Sequence, residues 1–415
     1  MGRTEHAFAE VFARGEFRAL FAGYAISTAG DQFARVAVSI LVFDRTRSAG
    51  WTALAYALTF APDLVSGPLL SGLADRYPRR AVMIAADVVR AVLVSAMAVP
   101  GLPLGVVAGL LVTVQLANAP ARAARGALLP TVTSEELFPA GQAALSTAGQ
   151  VAQVGGFAGG GALIALLGTA GVLWADAATF AVSALLTGFG IRHRPASARS
   201  GSVVRRGWFT DLAEASRLVW TTPRLRALAG FALLPGFYIA GEAVAVPYAA
   251  ALGGTGLLVG LLLAAYALGS GVGMIVLARL PAAARARLLP VLAIGTCVPL
   301  LGCVFNPAAG WVVVLFAMCG AASGHQMLAS TTFTLSVPDD RRGQAFGLVT
   351  TVLNVAQSLG VGMAGVTANW LPPHLVVAGA GVLGVAAGSV VAGAWRRAGP
   401  PAAVTPRPAP VTDPG

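Results

Sequence analysis

Asp31 and Arg35, Asp63, Asp87 and Arg90, Asp176, Glu242 and His325 all stand within or at the ends of runs of apolar residues long enough to cross a lipid bilayer. An ionisable group at that depth costs at least about 2.5–3.5 kcal/mol to insert, so each is a functional candidate by default. Asp31 precedes Arg35 by four residues, the favourable order for an ion pair on one helix face. Asp87 and Arg90, three apart, can pair in the same way, and packing is the favoured role there. Glu242 has no cation one turn away on its own segment; desolvation favours its neutral form, so it can trade protons near neutral pH. Its sequence counterpart in the first half of the chain is Asp31. Asp31, Arg35 and Glu242 are therefore the proton-coupling candidates, with a locked ion pair the competing reading for the first two. Asp63, after Pro62, and Asp176, after Trp174, read as caps or water-facing groups and rank lower.

Gln115, Asn118, Gln326, Asn354 and Gln357 are polar at depth, as are Gln150 and Gln153, while Tyr24, Phe33, Phe237 and Tyr238 place aromatic faces near the two acids. With His325 these make a candidate substrate cavity, an apolar pocket with a few polar groups suited to an amphipathic organic solute. The same residue types also serve helix packing in any membrane bundle.

Several chemistries are excluded. The chain contains no Lys, so it has neither a Walker A phosphate loop nor a Schiff-base lysine. The four His include no HExxH pair, and Cys297, Cys303 and Cys319 form no CxxC pair, so they read as apolar packing residues. Ser323 and His325, two apart, point to different helix faces, which argues against an intramembrane hydrolase. No cofactor and no metal is expected. A transporter, not an enzyme, remains.

The elements that must hold these groups follow from composition. The 415 residues are 56% hydrophobic and 11% charged, with mean hydropathy +0.76, a balance suited to a polytopic membrane protein. Apolar runs predict helices over about 17–43, 50–73, 80–100, 103–121, 141–168, 170–190, 226–252, 256–279, 286–305, 310–335, 343–369 and 373–395, because a segment in lipid must satisfy its own backbone hydrogen bonds. Arg falls in every second connection, with Arg45 and Arg47 the exception, so both termini are expected in the cytoplasm. The net charge of +11 is accounted for by this topology and by anionic lipid, not by nucleic acid.

Two halves are expected: an N-terminal segment 1–16, a first six-helix bundle 17–190, a cytoplasmic connection 191–225, a second bundle 226–396 and a disordered tail 397–415. Arg18-Ala-Leu20 with Asp31 is echoed by Arg226-Ala-Leu228 with Glu242, and Gly141-Gln-Ala143 by Gly343-Gln-Ala345, the mark of a parallel repeat. Within the connection, Trp208, Leu212, Ala215 and Val219 share a face, predicting an amphipathic helix on the membrane surface.

The charged island Ser71-Gly72-Leu73-Ala74-Asp75-Arg76-Tyr77-Pro78-Arg79-Arg80 between spans 2 and 3 resembles the signature loop of the major facilitator superfamily, G-x-L-A-D-R-x-G-R-R/K. Leu73, Ala74, Asp75, Arg76, Arg79 and Arg80 match; Ser71 and Pro78 replace glycines, and Gly72 sits one residue late. Gly155-Gly156-Phe157-Ala158-Gly159-Gly160 in span 5 is similar to the G-P-x-x-G-G motif of antiporter members, with Gly156 in place of Pro. Arg341-Arg342-Gly343-Gln344-Ala345-Phe346-Gly347 looks like the equivalent stretch of the drug/proton antiporter branch that includes macrolide and siderophore exporters.

The resemblance implies an all-α membrane protein of twelve transmembrane helices in two pseudo-symmetric six-helix bundles that rock between two states of access. It also implies that Asp75 bonds across the bundle interface, with Arg122, Arg125 or the start of span 11 as partner. The expected function is proton-coupled efflux of a small organic or drug-like solute by a monomer in the plasma membrane. The alternatives are an importer or a carrier of lipid-like or siderophore substrates, and a sensor or assembly partner that does not pump.

Overall fold

The computed structural model describes residues 2–59, 61–62, 66, 73–134, 136–195, 216–337 and 342–398. Among the described residues every regular element is helical. The first half comprises α1 (Gly2–Ala13), α2 (Gly15–Thr46), α3 (Ala49–Ala57), the single turn α4 (Leu73–Arg76), α5 (Arg79–Met97), α6 (Leu104–Thr133) and α7 (Phe138–Gly190). The second comprises α8 (Pro223–Leu233), α9 (Pro235–Tyr238), α10 (Ala240–Ala243), α11 (Ala245–Ala251), α12 (Gly256–Arg279), α13 (Ala282–Gly295), α14 (Val298–Leu301), α15 (Ala309–Ser323), α16 (His325–Ser336), α17 (Arg342–Thr367) and α18 (Pro373–Arg397).

Eight helices among the described residues are long and apolar enough to cross a membrane, and nine if the bent series Pro223–Ala251 is one span. The 53-residue α7 holds the expected spans 5 and 6 in one run, broken at Gly168, whose φ of 70° is open to glycine and strained for other residues. Charged α5 occupies the place of span 3 and α3 begins the partly described span 2, an arrangement consistent with twelve crossings. Residues 63–65 and 67–72 lie outside the described residues, and with them Asp63, Ser71 and Gly72, as do the side chain of Asp75, most of the expected amphipathic helix and the tail.

Breaks in the second half follow its prolines and glycines. Pro235 and Pro247 supply no backbone donor, and the expected span 226–252 runs as four short helices. The expected span 310–335 is interrupted at Gly324, between α15 and α16. In the first half α6 passes through Pro120 and Pro130 and ends at Thr133, twelve residues beyond the expected limit.

Helices in lipid associate by close packing, which favours small residues where backbones meet. A Cβ on Gly320 of α15 would fall on the Tyr266 carbonyl of α12, and one on Gly269 would fall on the Ala317 carbonyl. Gly320→Val is therefore expected to cost about 3 kcal/mol, the upper part of the overpacking range, read as a lower melting temperature of the purified protein in detergent.

One end of the bundle carries the start of α2 and the end of α18. There Arg14 donates to the Val132 carbonyl at 3.1 Å, Arg194 to Glu16 at 2.6 Å, and Arg224 lies 4.5 Å from the Trp395 ring. At the opposite end the halves meet. The apolar core of the second half takes in Val36, Ile40, Ala53, Tyr56, Ala57 and Phe157 of the first. Asn369 accepts from Ser48 at 3.1 Å and from the Gly50 amide at 3.2 Å. A Cβ on Gly161 would lie 2.6 Å from the Gly256 carbonyl, so α7 and α12 touch backbone to backbone there.

Candidate transport site

A central cavity of about 350 Å³ opens within the first half and reaches α17 of the second. Its wall includes Tyr24, Asp31 and Arg35 of α2, Arg90 of α5, Gln115, Asn118, Arg122 and Arg125 of α6, Asp176 of α7, and Asn354 and Gln357 of α17. Eleven candidates from scattered sequence positions are thus brought to one wall. Apolar Val38, Val94, Met97, Leu111 and Val114 complete it.

The ion pairing differs from the expectation. Asp31 pairs with Arg90 of α5 at 2.6 Å, not with Arg35 one turn along its own helix. Arg90, 3% exposed, also approaches Asp87 at 4.0 Å and lies 4.0 Å from the Phe180 ring centroid. Ser183 donates to Asp87 at 2.7 Å. Asp176, 1% exposed, accepts from Thr179 at 3.2 Å and packs on Gly30, where a Cβ would fall on both side chains. One guanidinium therefore serves two carboxylates from two helices, and Asp176 of a third helix stands on the same cavity wall. The spacing rule finds pairs within a helix, and no one-dimensional signal joins residue 31 to residue 90.

Arg35 is turned to the other half. Its guanidinium carbon lies 5.8 Å from the Tyr56 ring centroid, and Tyr56 donates a hydrogen bond to Glu242 of α10. Glu242 has no cation on its own segment, but Arg35 acts on it from across the interface. Glu242 is buried and lies outside the cavity wall. Gln115 donates to the Thr59 carbonyl at 3.0 Å.

Several cavity candidates are placed elsewhere. Phe33 packs on Gly159 and Gly160, with a Cβ on Gly159 lying 3.2 Å from its ring, while a Cβ on Gly156 would lie 2.6 Å from Gln32. Those span 5 glycines seat α7 on α2, and Gly155 meets nothing within 4 Å. Tyr238 is buried in the second half, where its hydroxyl accepts from Gln326 at 2.8 Å. Gln326 lines a small cleft with Phe333 and Leu353. Phe237 lines an apolar groove with Leu359, Met363 and Leu383. His325 is wholly buried against Thr296 at 3.2 Å, while Ser323 bonds Ser270 at 3.2 Å, so the two diverge as their spacing requires. The three cysteines are buried and free.

In the signature loop Arg76 is exposed, Arg79 donates to the Ala127 carbonyl at 2.7 Å and Arg80 donates to the Gly188 carbonyl. These bonds tie the loop to α6 and α7 of its own half. Arg122 and Arg125 line the cavity, and Arg125 stacks 4.1 Å from the Tyr24 ring.

Two helical halves packed around a polar, charge-lined cavity at membrane depth define a solute transporter. The profile of the Major Facilitator Superfamily matches residues 20–249 and again 227–413, and the chain belongs to that family. It is 27% identical over 368 residues to the multidrug efflux pump Tap of Mycolicibacterium fortuitum, covering 85% of this chain and 88% of that protein. Among solved structures it resembles a POT family transporter in complex with 5-aminolevulinic acid, with TM-score 0.70, 10% identity, and 92% and 96% of the two chains covered. It also resembles a bacterial homologue of the human lysosomal transporter Spinster in an inward-facing, occupied conformation, with TM-score 0.68, 15% identity and 92% of each chain covered. The last two similarities are of fold.

Proposed function

We propose that the chain exports a small amphipathic organic solute in exchange for protons, by alternating access, as a monomer in the plasma membrane with both termini in the cytoplasm. The observation that carries this reading is the pairing of buried Arg90 with Asp31 and Asp87, with buried Asp176 on the same wall of a solute-sized cavity. The buried acids Asp87 and Asp176 favour proton uptake, since a charge not fully paired at this depth is costly. The likeness to Tap supports export of drug-like compounds. On this topology the closed end, where Tyr56 meets Glu242, faces outside, and the cavity is reached from the cytoplasm.

Asp31 and Glu242 are the coupling residues in this reading, one inside the cavity and one on the contact that opens when the halves rock. Tyr56→Phe and Glu242→Gln both weaken that contact. Glu242→Gln is expected to lower pH-gradient-driven uptake of a fluorescent drug into inverted vesicles at least about tenfold, the effect of losing a charge-assisted hydrogen bond worth about 1.5–3 kcal/mol. Full proton-driven uptake by Glu242→Gln would end its role in coupling. In proteoliposomes of known orientation, accumulation against rather than down the expected direction would make the protein an importer, and an absence of any gradient-driven flux would remove the transport reading itself. Asp75 is retained as the latch of the signature loop; Asp75→Asn is expected to slow transport and change the accessibility of the cavity from outside.

A further inference from the structure

Phe237, a substrate-cavity candidate by sequence, lines a second and larger cavity, an apolar groove of about 750 Å³ on the flank of the second half. Its floor runs from α8 to α10, and α17 and α18 form its walls. Both walls rest on the floor: a Cβ on Gly360 of α17 would fall on the Gly236 carbonyl, and one on Gly384 of α18 would lie 3.1 Å from Phe237. Leu359 and Met363 are each 62% exposed, so the groove opens sideways, toward lipid in a membrane-spanning bundle. Among the lining residues only Thr367 has a polar side chain, and its hydroxyl donates back to the Met363 carbonyl at 2.8 Å. Such walls suit a hydrocarbon chain, not a polar solute.

Two arginines stand at one end of this groove. Arg226 precedes Gly230 and Leu233 of the floor by four and seven residues, which puts it on their helix face, one turn further out. Arg397 follows Gly379 of the wall by eighteen residues, five turns at about 3.6 residues each, and so shares its face. Both arginines are exposed. α8 and α18 meet where a Cβ on Gly230 would lie 3.0 Å from Val391. At 1.5 Å per residue, Arg226 is about 6 Å and Arg397 about 9 Å beyond that contact, toward the same end. Trp395 lies at that end too, 4.5 Å from Arg224, and Trp favours the depth of lipid headgroups.

We propose that the groove holds an anionic phospholipid, its acyl chains laid along Leu234, Phe237, Leu359, Met363 and Leu383 and its phosphate between Arg226 and Arg397. A guanidinium presents paired N–H donors to phosphate oxygens, and basic side chains just beyond a membrane span attract anionic headgroups. From Val391 to Val382 the wall runs nine residues, about 14 Å, close to half of the ~30 Å hydrocarbon core and so the depth that a chain of one leaflet reaches. A second copy docked by this same face would set these arginines against their own counterparts, which like charge opposes. The site is separate from the central cavity and depends on neither the direction of transport nor its coupling.

The test uses the full chain in decylmaltoside micelles with two probes, NBD-labelled phosphatidylglycerol and NBD-labelled phosphatidylcholine, read by fluorescence anisotropy. Saturable binding of the phosphatidylglycerol is expected at least about tenfold tighter than that of the phosphatidylcholine, a step of one charge-assisted bond. Arg226→Gln combined with Arg397→Gln should remove most of that preference, whereas Arg396→Gln, about 100° round the helix from Arg397, should keep it. All three arginines are exposed, so these variants are expected to fold as the parent does. Gly379→Leu addresses the acyl chains. A Cβ there meets nothing within 4 Å, so the side chain enters the groove without displacing its walls, and binding of both lipids should fall at least about tenfold. Equal binding of the two lipids, a preference that survives the double Gln variant, or unchanged binding by Gly379→Leu would overturn the proposal. So would displacement of the probe by an equal concentration of glycerol 3-phosphate, the mark of a site for free phosphates, or a lipid-independent dimer cross-linked through a cysteine placed at Leu383, the mark of a second copy in the groove.

Discussion

Arg90→Leu is expected to be one of the most damaging single substitutions in the chain, lowering stability by about 3–5 kcal/mol, the range for removing one partner of a buried pair. Arg90 is 3% exposed, holds Asp31 at 2.6 Å, approaches Asp87 at 4.0 Å and packs on Phe180. Leu would fill much of the space and leave two carboxylates at membrane depth without their cation. The measurement is thermal unfolding in detergent, where the variant should melt well below the parent or fail to elute as a single species. Adding Asp31→Asn should recover part of the loss, because an amide can be satisfied without a countercharge. A variant that melts with the parent would show that the cluster is solvated and does not organise the first half.

Gly161→Leu is expected to bring gradient-driven transport close to background while leaving each half folded. The Cβ alone would lie 2.6 Å from the Gly256 carbonyl and 3.1 Å from Gly260, and these are backbone atoms with little freedom to move. The obstruction lies between the halves, so neither has to repack internally; they would be held apart at the end where Ser48 meets Asn369 and Tyr56 meets Glu242. A cysteine placed at Thr28, on the cavity wall, reports the consequence. Its labelling by an impermeant maleimide from outside should rise at least about tenfold over the parent, an equilibrium shift of about 1.4 kcal/mol. The native Cys297, Cys303 and Cys319 are buried and should contribute little signal. Unchanged labelling together with full transport would show that this contact is not the closed gate.

Much of the membrane architecture was legible because lipid imposes one-dimensional rules. A span must be apolar over about 20 residues and must bond its own backbone, so Gly256–Arg279 was expected to the residue and Pro373–Arg397 nearly so. Less legible were the internal breaks at Pro235, Gly324 and Thr296–Cys297, because proline and glycine are tolerated within membrane helices and only neighbouring packing decides where the helix yields.

The candidate site divides in the same way. Polarity at depth picked out Tyr24, Asp31, Arg35, Gln115, Asn118, Asn354 and Gln357, and these share a wall because an unsatisfied polar group facing lipid is costly in any bundle. The same criterion also picked out Tyr238, Gln326 and His325, which satisfy one another or their neighbours inside the second half. Depth shows that a polar group is present; its direction depends on the rotation of each helix. Asp176, read from its place near a span end as a cap or water-facing group, is 1% exposed on the cavity wall, since proximity to a span end is no guide to which face a residue occupies.

From the sequence alone came the membrane, the helical class, the resemblance to the major facilitator superfamily and the lack of a Walker A lysine, all consequences of composition, local spacing and short motifs. Tertiary structure alone decided the pairings: Asp31 with Arg90 in place of Arg35, Tyr56 with Glu242 across the halves, and Arg125 on Tyr24. Those partners lie on different helices, so helix rotation and bundle packing set the distances that determine how the charges are shared.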